Sequence, residues 1–150
     1  MRIVLQRVRH ASVSIEGTIK GKIQEGYMAL VGIAETDTEE ILKHMSDKMI
    51  NLRVFEDETG KMNRSLLDVE GEILLISQFT LYADCKKGRR PSFTKAGSPA
   101  FAEQMYEAMI QYLQQQLPGK IQTGQFGADM KVELLNDGPV TILLDSEEIM

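Results

Sequence analysis

The stretch Gly71-Glu72-Ile73-Leu74-Leu75-Ile76-Ser77-Gln78-Phe79-Thr80-Leu81-Tyr82-Ala83-Asp84 begins as apolar core and ends in polar chemistry. Ile73 to Ile76 is a continuous apolar run of strand length, the pattern of a strand covered on both faces. Side chains alternate along an extended chain, so Leu74, Ile76, Gln78 and Thr80 share one face if the strand continues. That reading sends an amide and a hydroxyl inward behind core residues. Left without partners, each would cost about 1 to 3 kcal/mol. Backbone, water or a ligand must therefore satisfy them.

Outward from this stretch the chain reads as one domain, residues 1–150, long enough to bury a core of its own. Lys+Arg 17 against Asp+Glu 22 gives a net charge of -5, so a polyanionic partner has to be met by a local basic patch. The single cysteine, Cys85, excludes an internal disulfide, and no Cys/His spacing resembles a zinc site. Nothing at the N-terminus reads as a signal peptide, and no apolar run approaches the roughly 20 residues of a membrane span. A cytoplasmic protein in a reducing compartment is expected, with no membrane partner.

The N-terminal third predicts β structure: Ile3 to Val8, then Ser12 to Ile15, a turn at Glu16-Gly17, a return through Ile19 to Ile23, and a central strand from Tyr27 to Ile33. Thr38 is placed to cap a helix with Glu39 and Glu40 in its first turn, where the helix dipole favours anions. Ile41, Leu42, Met45, Met49 and Leu52 keep helical spacing along it. Arg53 to Phe55 starts another strand before the turn Asp57-Glu58-Thr59-Gly60. Ser98-Pro99 predicts a second helix start, and Pro118-Gly119 its stop. The methionines on these helices read as core filler rather than a ligand set. Met130 to Leu135 and Val140 to Leu144 read as strands interrupted by Asn136-Asp137-Gly138-Pro139.

Familiar catalytic schemes fit poorly. Only His10 and His44 could serve as a base, and neither is placed by sequence beside a nucleophile; each reads as a surface residue. Cys85 precedes Lys86 and Lys87, an arrangement that can lower a thiol pKa, although an incidental loop cysteine is the plainer reading. No Walker or dinucleotide phosphate loop occurs. Two features remain. One is Ser77-Gln78-Phe79-Thr80; the other is the turn around Gly138-Pro139. In isolation Asp137-Gly138 is a hairpin signal. Pro139 complicates it, since it donates no N–H and a Gly-Pro bond can be cis. A cis bond would turn two successive carbonyls to one side, a rigid pair suited to an amino group or to excluding a substituent.

Taken together, the ordered motifs resemble the D-aminoacyl-tRNA deacylase family. They are Gln6-Arg7-Val8 with Ala11-Ser12-Val13, Asn51-Leu52-Arg53-Val54-Phe55, Gly60-Lys61-Met62-Asn63, and Ser77 through Asp84. They continue as Gly88-Arg89-Arg90-Pro91-Ser92-Phe93, Phe126-Gly127-Ala128-Asp129-Met130 and Asn136-Asp137-Gly138-Pro139-Val140-Thr141. The resemblance covers almost the whole length and is weakest over the helix between about Lys95 and Gln122.

The resemblance implies an α+β fold with a curved, barrel-like antiparallel sheet and two main helices, assembled as a homodimer with the active site at the subunit interface. It implies a carboxylic ester hydrolase that frees tRNA from D-amino acids, and from glycine mischarged on tRNA-Ala, without a cofactor. Gln78, Phe79 and Thr80 would be catalytic. Ser77, Arg7, Met130, Gly138 and Pro139 would bind substrate, with the Gly138-Pro139 carbonyls entering the other subunit's pocket and Arg7 fixing their orientation. From the residues themselves, an activated ester beside a ribose hydroxyl demands no strong protein base, and backbone N–H groups near Phe79 and Thr80 suit an oxyanion. Thr80 is then a positioning hydroxyl or a nucleophile, positioning being favoured for want of a histidine. Lys86, Lys87, Arg89 and Arg90, four cations in five residues, form the natural tRNA phosphate contact. The alternatives are a non-catalytic RNA-binding module built on the same loop, and a small-molecule hydrolase working through Cys85.

Overall fold

The computed structural model describes residues 1–150. Its strands are β1 (Arg2–Ile15), β2 (Thr18–Ile23), β3 (Gly26–Gly32), β4 (Phe55–Glu56), β5 (Met62–Arg64), β6 (Glu72–Ser77), β7 (Ile121–Thr123) and β8 (Lys131–Asp145). The helices are α1 (Glu39–Asn51), α2 (Pro99–Gln116) and the short α3 (Ser146–Ile149), and a 3-10 turn spans Phe79–Tyr82. The main sheet runs β2-β1-β3-β6-β7, with β8 paired to β1. β8 spans the whole of β1, so β2 and β3 succeed one another along β1's other edge.

The strand interior of the Gly71–Asp84 stretch is as the apolar run implies. Ile73 and Leu75 point into the larger core with α1 and α2, while Leu74 and Ile76 point into a second core of Val8, Val13, Ile23 and Met28. All four are at most 2% exposed. Each such side chain contributes about 1.5 to 3 kcal/mol relative to exposure, which makes β6 the spine of the molecule. The second core lies inside the curl of the sheet. Gly21 on β2 comes so close to β7 that a Cβ there would stand 2.9 Å from the Thr123 carbonyl oxygen, nearly closing a barrel.

The α+β class, the barrel-like curve and the two main helices stand, but the sheet is mixed rather than antiparallel throughout. β3 pairs with β6 in parallel, and β6 with β7 in parallel. The physical reason is the connections: α1 with the β4-β5 hairpin separates the first pair, and α2 the second, as parallel neighbours require. β1 is one strand rather than two. It passes through exposed Arg9 and His10 on an extra residue, between the pairs Val8–Asn136 and Ala11–Leu134. Glu16 and Gly17, both at positive φ, make the expected hairpin turn.

Thr38 caps α1 by accepting the Ile41 N–H at 3.2 Å. Ser98 makes no side-chain cap to α2; its own N–H donates to the Glu35 carboxylate at 2.7 Å. Tyr106 on α2 donates its buried hydroxyl to the Leu75 carbonyl at 2.6 Å, tying that helix to β6. Burial pushes its phenol well above the ordinary tyrosine range. No helix is long and apolar enough to cross a membrane.

The Met1 ammonium lies 2.7 Å from a carboxylate oxygen of Asp37 and donates to Ser146 Oγ at 2.9 Å. Asp37 also accepts the Ala34 N–H at 2.9 Å. Both ion-pair partners are almost fully buried, so removing one leaves a charge uncompensated. Asp37→Ala is expected to lower unfolding free energy by about 3 kcal/mol, read as a reduced urea midpoint at unchanged slope.

Candidate active site

At Ser77 the apolar run is spent, and the chain leaves the sheet one residue later. The Gln78 N–H still donates to the Val31 carbonyl at 2.8 Å; thereafter the Leu81 N–H donates to the Gln78 carbonyl at 3.3 Å, opening the 3-10 turn. The expected inward alternation of Gln78 and Thr80 therefore does not occur. Gln78 is half-buried, Thr80 is exposed, and the Gln78 amide Nε2 donates to Thr80 Oγ1 at 2.5 Å. Their polar groups satisfy one another at the surface. The Phe79 and Thr80 N–H groups precede the turn's first internal bond.

The turn is held from two sides. Arg2 donates through Nη1 to the Leu81 carbonyl at 2.9 Å, through Nε to Asp145 at 3.1 Å, and stacks over the Tyr82 ring at 4.6 Å from its centroid. Gly32, the last residue of β3, lies beneath. A Cβ at Gly32 would meet Leu81 Cβ at 2.9 Å and the Gln78 carbonyl oxygen at 3.2 Å.

Beside the turn opens a cavity of about 540 Å³, large enough for a nucleoside-sized ligand. Ser77, Gln78 and Phe79 form one wall and Met130 another, so these expected site residues do come together. The cavity is also walled by Phe93 and by the loop Phe126 to Asp129. Thr80 is attached to this wall through Gln78 rather than lining it. His10 and His44 lie elsewhere, on β1 and α1, both exposed, and Cys85 is exposed outside the cavity.

Arg7, Gly138 and Pro139 are not in the cavity of their own chain. Between the pairs Gln6–Thr141 and Val8–Asn136, Arg7 alone on β1 faces Asp137, Gly138, Pro139 and Val140 on β8. The surplus residues leave the ladder as an excursion, and its Gly138-Pro139 bond is cis. Arg7, 5% exposed, holds the base of that excursion. Its Nε donates to the Asp137 carbonyl at 3.0 Å and its Nη1 to the Val54 carbonyl at 2.6 Å. Asn136 completes the frame by accepting the Val140 N–H at 3.0 Å and donating to Thr141 Oγ1 at 3.1 Å. Gly138 stands at φ 132°, and a Cβ there would meet Val140 Cγ2 at 2.9 Å and Arg7 Nη2 at 3.1 Å, so only glycine fits.

Lys86, Lys87, Arg89 and Arg90 are exposed on a loop closed by the Asp84–Ser92 bridge, and none of them makes an ion pair within the chain. Sequence reasoning assigned no role to Arg2, Gly32 or Phe93. Phe93 was within reach, as the last residue of the Gly88–Phe93 motif.

Geometry thus defines a small α+β protein with a nucleoside-sized cleft beside a free basic loop. A family model described as D-Tyr-tRNA(Tyr) deacylase matches residues 4–145. The chain is similar to a D-aminoacyl-tRNA deacylase of Halothermothrix orenii, 55% identical over 148 residues and 99% of each chain. It is likewise similar to one of Parabacteroides distasonis, 54% identical over 147 residues and 98% of each. The solved structure of a c-Myc DNA Unwinding Element Binding Protein superposes with a TM-score of 0.92 at 44% identity, over 97% of this chain and 98% of that one. A probable eukaryotic D-amino acid tRNA deacylase superposes at 0.83 over 95% and 97%, with 16% identity, a likeness of fold alone. The chain belongs to the D-aminoacyl-tRNA deacylase family.

Because Gly32 underlies the turn, Gly32→Ala should displace Leu81 and with it Gln78 to Thr80. Such a shift of a site wall costs on the order of 10²-fold in turnover where the wall positions the reacting groups. The expected result is that loss of kcat with only a modest fall in melting temperature, measured on the same preparation.

Proposed function

We propose that this protein hydrolyses the ester joining a D-amino acid to the 3′ end of tRNA, and glycine esterified to tRNA-Ala by mischarging, and that it does so in the cytoplasm as a homodimer. The observation that carries the reading is the split arrangement of the motifs. Ser77, Gln78, Phe79 and Met130 wall one cavity, while Gly138-Pro139 projects from β8 outside it. β8 pairs only with β1, and the excursion is flanked on that strand by Leu135 and Leu143, 51% and 65% exposed. A free strand edge with exposed leucines favours a partner, and a second copy covering them would receive Gly138-Pro139. The paired carbonyls would accept from the substrate's α-amino group and leave no room for an L side chain.

In the reaction the terminal adenosine occupies the cavity with its ester beside Phe79 and Thr80. The N–H groups of these two residues are the donors for the oxyanion, a contribution typically of about 10² to 10³ in rate. Gln78 donates to Thr80 Oγ1 and so takes one of its lone pairs. An amide N–H cannot accept the Thr80 proton, which favours Thr80 as a hydroxyl that orients water or ester over Thr80 as a nucleophile. Water, assisted by the substrate's own 2′-hydroxyl, attacks the acyl carbon; the bond from that carbon to the 3′ oxygen breaks, the 3′ oxygen takes up a proton, and free D-amino acid and tRNA leave. The loop cations Lys86, Lys87, Arg89 and Arg90 hold the phosphates of the acceptor end.

D-tyrosyl-tRNA and L-tyrosyl-tRNA are the direct test: the D ester is turned over and the L ester persists. Binding of both without turnover would make the protein an RNA-binding module instead. Thr80→Ala is expected to retain measurable hydrolysis, whereas complete loss with tRNA binding and fold intact would require a covalent role. Replacing Lys86, Lys87, Arg89 and Arg90 by Ser should weaken tRNA binding and flatten its salt dependence. An unaltered salt slope would remove the loop from phosphate contact.

A further inference from the structure

Phe79 and Phe93 meet edge to face, ring centroids 5.0 Å apart and planes at 75°, yet they remain 55% and 37% exposed. Both belong to the wall of the cavity. The pair presents π surface to solvent at the edge of the cavity, where a flat ring could stack on it.

Its neighbourhood is cationic. Asp84 and Ser92 exchange backbone hydrogen bonds of 2.7 and 2.9 Å, so the loop between them closes immediately before Phe93. Lys86, Lys87, Arg89 and Arg90 stand on that loop without internal partners, and its tip is left-handed Gly88. Unpaired cations for a phosphate chain, set beside exposed aromatic faces, are the two components of a single-strand nucleic-acid site.

We propose that Phe93, braced by Phe79, is the stacking platform for the base that precedes the terminal adenosine of the acceptor strand. The inference rests on the deacylase reading, in which the terminal nucleoside fills the cavity. The next phosphate must then leave over the rim toward the cations, and the base attached to it passes the exposed rings. The contact is indifferent to base identity, because every base has a π face.

Phe93 is thus a positioning residue for the strand. Its test compares Phe93→Ala with wild type on two substrates, D-tyrosyl-adenosine and the same ester on a cytidine-cytidine-adenosine trinucleotide. The expected result is a KM loss on the trinucleotide exceeding that on the nucleoside by on the order of ten-fold, with kcat preserved. Phe93→Trp should restore the trinucleotide advantage, and Phe93→Leu, which keeps apolar bulk without a π face, should not. Equal losses on the two substrates, no loss on either, or rescue by leucine would overturn the platform. Wild type that leaves D-tyrosyl-tRNA intact would instead sink the deacylase reading itself.

Discussion

A guanidinium that is 5% exposed has to find acceptors inside the protein, and Arg7 finds them in two main-chain carbonyls, those of Val54 and Asp137. Hydrogen bonds from a charged donor each contribute about 1.5 to 3 kcal/mol, and a buried cation left without them would cost more. β1, the approach to β4 and the excursion of β8 are therefore locked to one another through a single side chain. Glu56 and Asp137 carboxylates, at 3.8 and 3.9 Å, add longer-range compensation. Gly138 leaves the room that Arg7 needs, and the Gly138-Pro139 unit is held out from the strand as a fixed object rather than a loose loop.

The other half of the site follows from a different constraint. β6 is sealed on both faces until Ser77, and the chain turns out of the sheet where its partner strand β3 ends at Gly32. It does so between Gly32 below and Arg2 beside it, and the turn brings Gln78, Phe79 and Thr80 to the mouth of the cavity. Packing sets the wall; in the reaction proposed above, the chemistry would be left to a hydroxyl, main-chain N–H groups and the substrate, a division suited to an ester already activated for transfer.

Much of this was legible in the residues. The run Ile73 to Ile76 announced a doubly covered strand, Thr38 its helix cap, and Glu16-Gly17 its hairpin. The parallel pairing of β3 with β6 was signalled by the helix between them, and the antiparallel expectation overlooked it. The turn at Gln78 was not legible, since Ser77-Gln78-Phe79-Thr80 continues a strand's alternation, and only the end of the partner strand at Gly32 breaks it. Nor was the unity of β1 legible: exposed Arg9 and His10 look like a connection, and a bulge in pairing carries them through. The excursion at Gly138-Pro139 was visible as an interruption, but its anchor on Arg7, 130 residues away in sequence, was legible only through the family resemblance and not from the residues themselves.

In the proposed dimer, the cavity of one copy is completed by the excursion of another. Doubly tagged mixed dimers test it, pairing an Ala128→Trp chain, whose cavity is filled from its loop, with a Gly138→Val chain, whose excursion is displaced. Each parent homodimer should be inactive on D-tyrosyl-tRNA, while the mixed dimer, holding one intact cavity opposite one intact excursion, should regain hydrolysis. Mixed dimers as inactive as both parents would contradict the account.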